Sequence, residues 1–433
     1  MTQTELAVAT DSSRSMLRTA YSLMLNTAVN AALGVGFWIV AARLYRAEIV
    51  GRDGALISAM AAISALCGMN MNNNIIRFLP SQRVRVGRMV LSAYGVSAAA
   101  VALGAVVFVI VVPAISTQFS VFSNRPGFAG FYALSVVAWT IFGLQDVVLT
   151  SVRRAGWVPI ENAAYGAAKL ALLPIFSHLG AADGILLAWI VPMLFLLVPV
   201  NGMLFARWLP VHAREPAQAV SVFRAGRRDQ LIKFVAQDTV ATAVGMASRT
   251  LLPSLAVVVV GSRSAAHFYV PFTIISTLDL LFTNVTTSLV AEGARGEVAI
   301  HRLARMTLSR FMPLLVLATA ALILLAPWVL VLFGTQYAHG GATVLRVMAA
   351  ASCFRAVMMV GIAVARLQRQ GIGSLLIQGG SAALLLGFVA ALAPWLDLNG
   401  VGLAWLASSV CGGLATLPYV LRSTRHRPLV EAV

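Results

Sequence analysis

Arg249 sits in the middle of the apolar stretch LIKFVAQDTVATAVGMASRTLLPSLAVVVVG, and few positions in the chain constrain chemistry as tightly. A charge at the centre of a membrane helix costs roughly 2.5 to 3.5 kcal/mol on insertion scales, so it is kept where it meets an anion or an opposite charge. At 100° per residue, Asp238, Thr242, Gly245 and Arg249 fall within about 60° of one another, on one helix face. Lys169 lies mid-way along a second apolar stretch, with no obvious acidic neighbour in its own helix. Asn26 and Asn30 are four residues apart and share a face. Asn70, Asn73, Asn74 and Arg77 recur at i, i+3, i+4 and i+7, a polar stripe that must face protein or water. Arg249 and Lys169 are therefore candidate ligand-binding cations lining a cavity.

Each of these residues also has a structural reading. Membrane amides can join helices by hydrogen bonds. Arg77 is close enough to a membrane edge to reach the headgroups. Arg249 can pair with Asp279 of the next helix, since their depths differ by about 6 Å at 1.5 Å per residue. Lys169 can be a packing residue. Arg346 sits near an edge, and Arg355 is half a helical turn round from it, so both are set outside the site. Asp238 and Asp279 are the groups that could couple transport to a proton or sodium gradient.

The elements that carry these residues are apolar spans. A hydrocarbon core about 30 Å thick needs about 20 residues of helix, and such segments fall at 17–43, 51–77, 89–113, 129–151, 158–179, 184–206, 231–260, 265–291, 310–333, 343–366, 372–394 and 398–421. The expected fold is therefore an all-α polytopic membrane protein of about 12 helices in two six-helix lobes around a central cavity. The gaps between spans are alternately rich in Arg and nearly free of it. Most of the 32 Lys and Arg residues lie on the side that would be cytoplasmic if both termini are, and the positive-inside rule selects that orientation. A polar stretch at 207–230, with Pro210 and Pro216, divides the chain into an N-terminal lobe at 1–206 and a C-terminal lobe at 231–433 with a short basic tail. Six helices on each side, both entering from the cytoplasm, imply a parallel repeat about an axis along the membrane normal, with the substrate between the halves.

Composition narrows the function. With 59% hydrophobic and 11% charged residues and a mean hydropathy of +0.86, the chain is built for a bilayer. Its net charge of +17 is spread over short loops, which suits membrane lipids as partners and gives no basic domain for nucleic acid. Cys67, Cys353 and Cys411 fall inside spans without metal spacing, the histidines lie at ends or in loops, and no phosphate loop, HExxH, CxxC or GxSxG occurs. The reading is a protein that is not an enzyme and needs no cofactor.

AARLYRAEIVGRDGALISAMAAISALCGMNMNNNIIRFLP, from Ala41 to Pro80, resembles the first helical hairpin of bacterial polysaccharide-biosynthesis flippases of the multidrug/oligosaccharidyl-lipid/polysaccharide (MOP) exporter superfamily. The shared marks are Arg43 and Leu44, Gly51, and Arg77 to Pro80. A second likeness runs through SAAHFYVPFTIIS and TTSLVAEGARGE, with Tyr269, Ser288, Glu292 and Gly293. Asn70 to Asn74 depart from the pattern and bear on the headgroup recognised.

The resemblance implies a V-shaped pair of lobes in the bacterial plasma (inner) membrane, rocking to expose a cationic cavity to each side in turn. The cargo would be a polyprenyl-diphosphate-linked oligosaccharide, and other glycan assembly proteins would be partners. Arg249, Lys169 and Arg77 would then meet the diphosphate, and Asn26, Asn30, Asn73 and Asn74 the sugar hydroxyls. A cation-coupled multidrug exporter of the same superfamily and a non-transporting scaffold of a glycan assembly complex are the competing expectations.

Overall fold

The computed structural model describes residues 29–68, 71–214, 228–294, 300–368 and 370–424, and among them every regular element is helical. Helix α1 is Val29–Leu44. It is followed by α2 (Ala47–Cys67), α3 (Met71–Phe78), α4 (Val86–Ile115), α5 (Val121–Asn124), α6 (Pro126–Ser151), α7 (Trp157–His178), α8 (Gly184–Met203) and α9 (Leu209–Arg214). The second half supplies α10 (Arg228–Thr250), α11 (Leu252–Ala294), α12 (Ile300–Val331), α13 (Thr335–Leu367) and α14 (Gly371–Thr424). Helix α14 holds two spans, and α11 joins the end of the span begun in α10 to the whole of the next. The backbone reverses at Gly261 (φ 77°) within α11 and at Asp397 (φ 48°) within α14. Each expected span therefore has a helix, and the chain is a multi-pass membrane protein.

Two boundaries differ from expectation. The second span is described as two helices: α2 stops at Cys67, where Gly68 N–H donates to Ser64 O (2.9 Å), and α3 starts at Met71 and carries Asn73, Asn74 and Arg77, while Asn70 lies outside the described residues. The sixth span runs past 206 through a π-type turn at Leu204–Trp208 into α9, so 207–214 is helix where a linker was expected. Trp208 and Leu209 bury themselves in the N-terminal lobe and hold it there.

Apolar packing shows how the lobes meet. At the end of the molecule that bears the turns at 45–46, 116–125, 179–183, 261 and 332–334, one continuous core joins both lobes, from Phe37 and Leu56 to Phe268 and Tyr337. At the opposite end, two separate clusters serve one lobe each, around Val148 and Trp208 in one and around Phe282 and Val360 in the other. The lobes are thus closed at one end and parted at the other.

Helix α2 makes the closure. Its residues from Val50 to Ile63 are almost all buried, as expected of a helix enclosed on every side. It lies along α11 so closely that a Cβ on Gly51 would be 1.9 Å from Ser262 O, and one on Gly54 would be 2.9 Å from the Tyr269 ring. Ser254 Oγ donates to Ala55 O (2.7 Å), Arg43 Nε donates to Leu332 O (2.8 Å), and the Trp38 and Tyr269 rings meet at 4.5 Å. Many exposed side chains away from these contacts are large and apolar, with Leu103, Ile110, Leu317, Leu324 and Trp328 turned outward as on a lipid-facing surface.

Candidate functional site

A cavity of about 440 Å³ is lined by α10, α11, α13 and α14, all helices of the C-terminal half, where the sequence led us to expect a site between the two halves. Thr242, Met246 and Arg249 come from α10, Ser276, Asp279 and Thr283 from α11, Arg355 and Arg366 from α13, and Gln378 and Trp405 from α14. The sequence face Asp238, Thr242, Gly245, Arg249 does turn inward. Gly245 lets Gln378 of α14 come within 3.0 Å of where a Cβ would stand.

Arg249 lines this cavity and has no carboxylate within ion-pair distance among the described residues. Its Nε donates to Gly245 O one turn back (2.9 Å), which leaves the end of the guanidinium directed to the cavity. Asp279, the expected partner, belongs instead to Arg355, whose Nε reaches Asp279 Oδ2 at 2.9 Å and whose guanidinium lies 4.2 Å over the Trp405 ring. The reason lies in the helix arrangement. Helices α10 and α11 splay apart below Gly261, whereas α11 lies along α13 over much of its length. Arg355, set outside the site on the sequence, is therefore inside it, while Arg346 is exposed and bonds Ile323 O (3.2 Å) as an edge residue.

Asp238 is likewise neutralised. Its Oδ1 accepts from Arg366 Nε (3.1 Å) and Ser374 Oγ (2.6 Å), and Arg366 Nη2 continues to Thr242 Oγ1 (2.8 Å). Of the three arginines that line the cavity, two have a carboxylate and Arg249 has none.

Lys169 does not join this group. It lies 6% exposed in the N-terminal lobe, enclosed by aromatic rings: its Nζ is 3.7 Å from the centroid of Trp189, 5.0 Å from Tyr165 and 5.1 Å from Phe37. Cation–π attraction is strongest where water is excluded, and this cage replaces the carboxylate that the sequence lacked. Asn30 is half-buried on α1, and Asn74 Nδ2 lies 3.8 Å from Met71 Sδ within α3. Asn26, Asn70 and the side chains of Asn73, Arg77 and Glu292 lie outside the described residues.

The cavity has two extensions. A narrow recess lined by Gly245, Ser248, Arg249, Arg355, Gln378 and Ser381 shares its two arginines with the main space. Beyond Ser381 a groove of about 340 Å³ opens between the two arms of α14, lined by Gly373, Leu376, Gly380, Gly412 and Tyr419. Ser381 borders both the recess and the groove. The partition is thin: a Cβ on Gly412 would stand 2.8 Å from Met358 Sδ and 3.1 Å from Ser381 Oγ. A cationic chamber and an apolar groove thus lie on either side of a few small side chains.

No protein-family model matches the chain, and no curated protein does. Solved structures do share its fold. An inward-facing multidrug-resistance MATE family transporter of the MOP superfamily superposes with a TM-score of 0.65 at 16% identity, over 91% of this chain and 94% of that one. The MATE multidrug transporter DinF-BH gives 0.65 at 13% identity, over 94% and 96%. A MOP superfamily transporter from Pyrococcus furiosus, described as having a binding pocket of reverse polarity, gives 0.56 at 15% identity over 95% and 96%. The chain has the two-lobe fold of MATE transporters of the MOP superfamily.

Proposed function

We propose that this protein moves a polyprenyl-diphosphate-linked oligosaccharide from the cytoplasmic to the outer leaflet of the plasma membrane by alternating access. The observation that carries the reading is Arg249: a guanidinium without a carboxylate partner, lining a cavity beside an apolar groove. A diphosphate needs charge-assisted donors, which Arg249 offers and Arg355 can supplement, since a guanidinium presents five N–H groups in a fixed fork. Thr242, Ser276, Thr283 and Gln378 add neutral partners for sugar hydroxyls. The groove between the arms of α14 is placed to keep an isoprenoid chain in hydrocarbon while its headgroup is in the chamber.

With the arginine-rich loops cytoplasmic, the closed end bearing Gly51 and Gly261 faces outward and the chamber opens inward. That is the state in which a precursor made in the cytoplasm would load. Alternating access then requires the α2–α11 contact to part while the opposite end closes.

A cation-coupled multidrug exporter of the same superfamily is the competing reading. It would be favoured by unneutralised carboxylates in the chamber, yet Asp279 and Asp238 are both held by arginines. The deciding experiment reconstitutes wild type and Arg249→Ala in liposomes with a fluorescent polyprenyl-diphosphate oligosaccharide, scoring its accessibility on the far leaflet. Loss of flipping by Arg249→Ala with normal protein level and melting temperature supports the reading. Unchanged flipping by a well-folded variant overturns it.

A further inference from the structure

The chamber and its edge hold Arg249, Arg355 and Arg366 against Asp238 and Asp279, which leaves one positive charge in excess. A diphosphate diester carries one negative charge on each phosphate, and Arg249 alone answers only one of them. Arg366 is not placed to answer the other. Its guanidinium spans Asp238 Oδ1 (3.1 Å) and Thr242 Oγ1 (2.8 Å), and Ser374 Oγ donates to the same carboxylate oxygen (2.6 Å).

The Arg355 pair is built differently. Nε and Nη2 both end on Asp279 Oδ2 (2.9 and 2.5 Å), and among the described residues no other side chain hydrogen-bonds to either group. The guanidinium also lies 4.2 Å over the Trp405 ring, which keeps it in place when the carboxylate leaves. Arg355 and Arg249 together line both the main space and the recess, whereas Asp279 lines the main space alone. In the recess the two guanidiniums meet the side chains of Ser248, Gln378 and Ser381, and no carboxylate. The charges of Arg355 and Asp279 both act on Arg249, so the three groups share one field. A dianion set between the arginines is attracted by both and opposed by Asp279.

We propose that Asp279 is an internal counter-anion: the second phosphate of the cargo displaces it from Arg355 on binding, and its return to Arg355 expels the product. The inference rests on the reading of the cargo as a lipid diphosphate and assigns Asp279 the role of a positioning residue, acting through Arg355. While Asp279 holds Arg355, only a fraction of the molecules offers both guanidiniums, and the apparent affinity falls by that fraction. Release gains what binding loses, because a dianion clasped by two unopposed arginines leaves slowly and slow release limits turnover. A lipid monophosphate needs Arg249 alone and leaves the Asp279 pair intact.

The test measures binding of a polyprenyl-diphosphate oligosaccharide and of a polyprenyl monophosphate to the purified full chain in nanodiscs, and flipping of the diphosphate in liposomes. Asp279→Asn keeps the shape and removes the charge. It should bind the diphosphate about tenfold or more tighter than wild type, yet flip it more slowly at saturation. Asp279→Glu restores the charge and should return both values towards wild type. A purely structural pair would not tighten binding while slowing turnover. The double variant Arg355→Met with Asp279→Leu removes both members, strands neither, and keeps the test independent of the stability of the single variants. It should bind the diphosphate about fivefold or more weaker than wild type, and the monophosphate within about threefold.

Diphosphate binding by Asp279→Asn no tighter than that of wild type, or a double variant that binds the diphosphate as wild type does, overturns the inference. If wild type binds the diphosphate and Arg249→Ala does not, that result strikes this inference alone. If no folded variant, wild type included, binds the lipid diphosphate, the reading of the cargo falls and this inference falls with it.

Discussion

Gly51 is the position at which a small change should do most to the conformational equilibrium. An added Cβ would stand 1.9 Å from Ser262 O, while real Cβ atoms essentially never approach closer than 3.0 Å. The atom it meets is backbone, so no rotamer change relieves it. For Gly51→Ala, α2 and α11 must separate locally by at least about 1.1 Å, the difference between those two distances. Overpacking of a tight contact costs about 1–3 kcal/mol. Here the cost falls only on the state in which the Gly51 end is closed, so the ratio of closed to open molecules should drop by about 5- to 150-fold. The assay is double electron–electron resonance between spin labels at Arg125 and Arg263, exposed positions in opposite lobes at this end, after Cys67, Cys353 and Cys411 are replaced. Wild type should give a short, narrow distance distribution, and Gly51→Ala a longer and broader one with little loss of helix content. A distribution unchanged by Gly51→Ala, with an unchanged melting temperature, would refute the argument that this contact is the closure.

The Arg355–Asp279 pair is nearly buried, with side chains 9% and 14% exposed. Asp279→Ala should therefore cost roughly 3–5 kcal/mol by stranding the guanidinium, whereas the double variant Arg355→Met with Asp279→Leu should recover most of that loss. Denaturation midpoints of the single and double variants check this, and equal losses in both would show the pair to be incidental. Lys169→Met should leave substrate affinity within about threefold, because a cation–π contribution of about 2 kcal/mol is lost within the lobe while the cost of burying an ammonium is relieved. A binding loss as large as that of Arg249→Ala would return Lys169 to the substrate path. Gly412→Leu should fill the junction between recess and groove, weakening binding of long-chain lipid diphosphates tenfold or more. Binding of a short-chain water-soluble analogue should not change, and equal weakening of both would separate the groove from the lipid tail.

What the sequence made legible follows from how strongly each feature is constrained. Spans are dictated by bilayer thickness, so all of them could be placed, and the separation into six and six followed from the one long polar interruption. The inward face of α10 was legible for the same reason: three polar residues, Asp238, Thr242 and Arg249, on one face of an apolar segment have few places to go. Gly51 and Tyr269 stood out only through family resemblance, and the close crossing of α2 and α11 supplies the reason.

The pairing of charges was not legible, because it depends on which helices touch. The depth argument for Arg249 and Asp279 assumed that consecutive helices of a hairpin are neighbours along their length, and α10 and α11 are not. Arg355 was excluded by its angle to Arg346 on one helix, when the relevant comparison was with Asp279 on another. The signal that was available is more general: in a membrane helix a charge with no local partner is itself the anomaly, and its compensating charge must come from another helix at the same depth or from a ligand. Applied to each arginine of the chamber in turn, the criterion separates Arg355 and Arg366, which the fold neutralises, from Arg249, which it does not.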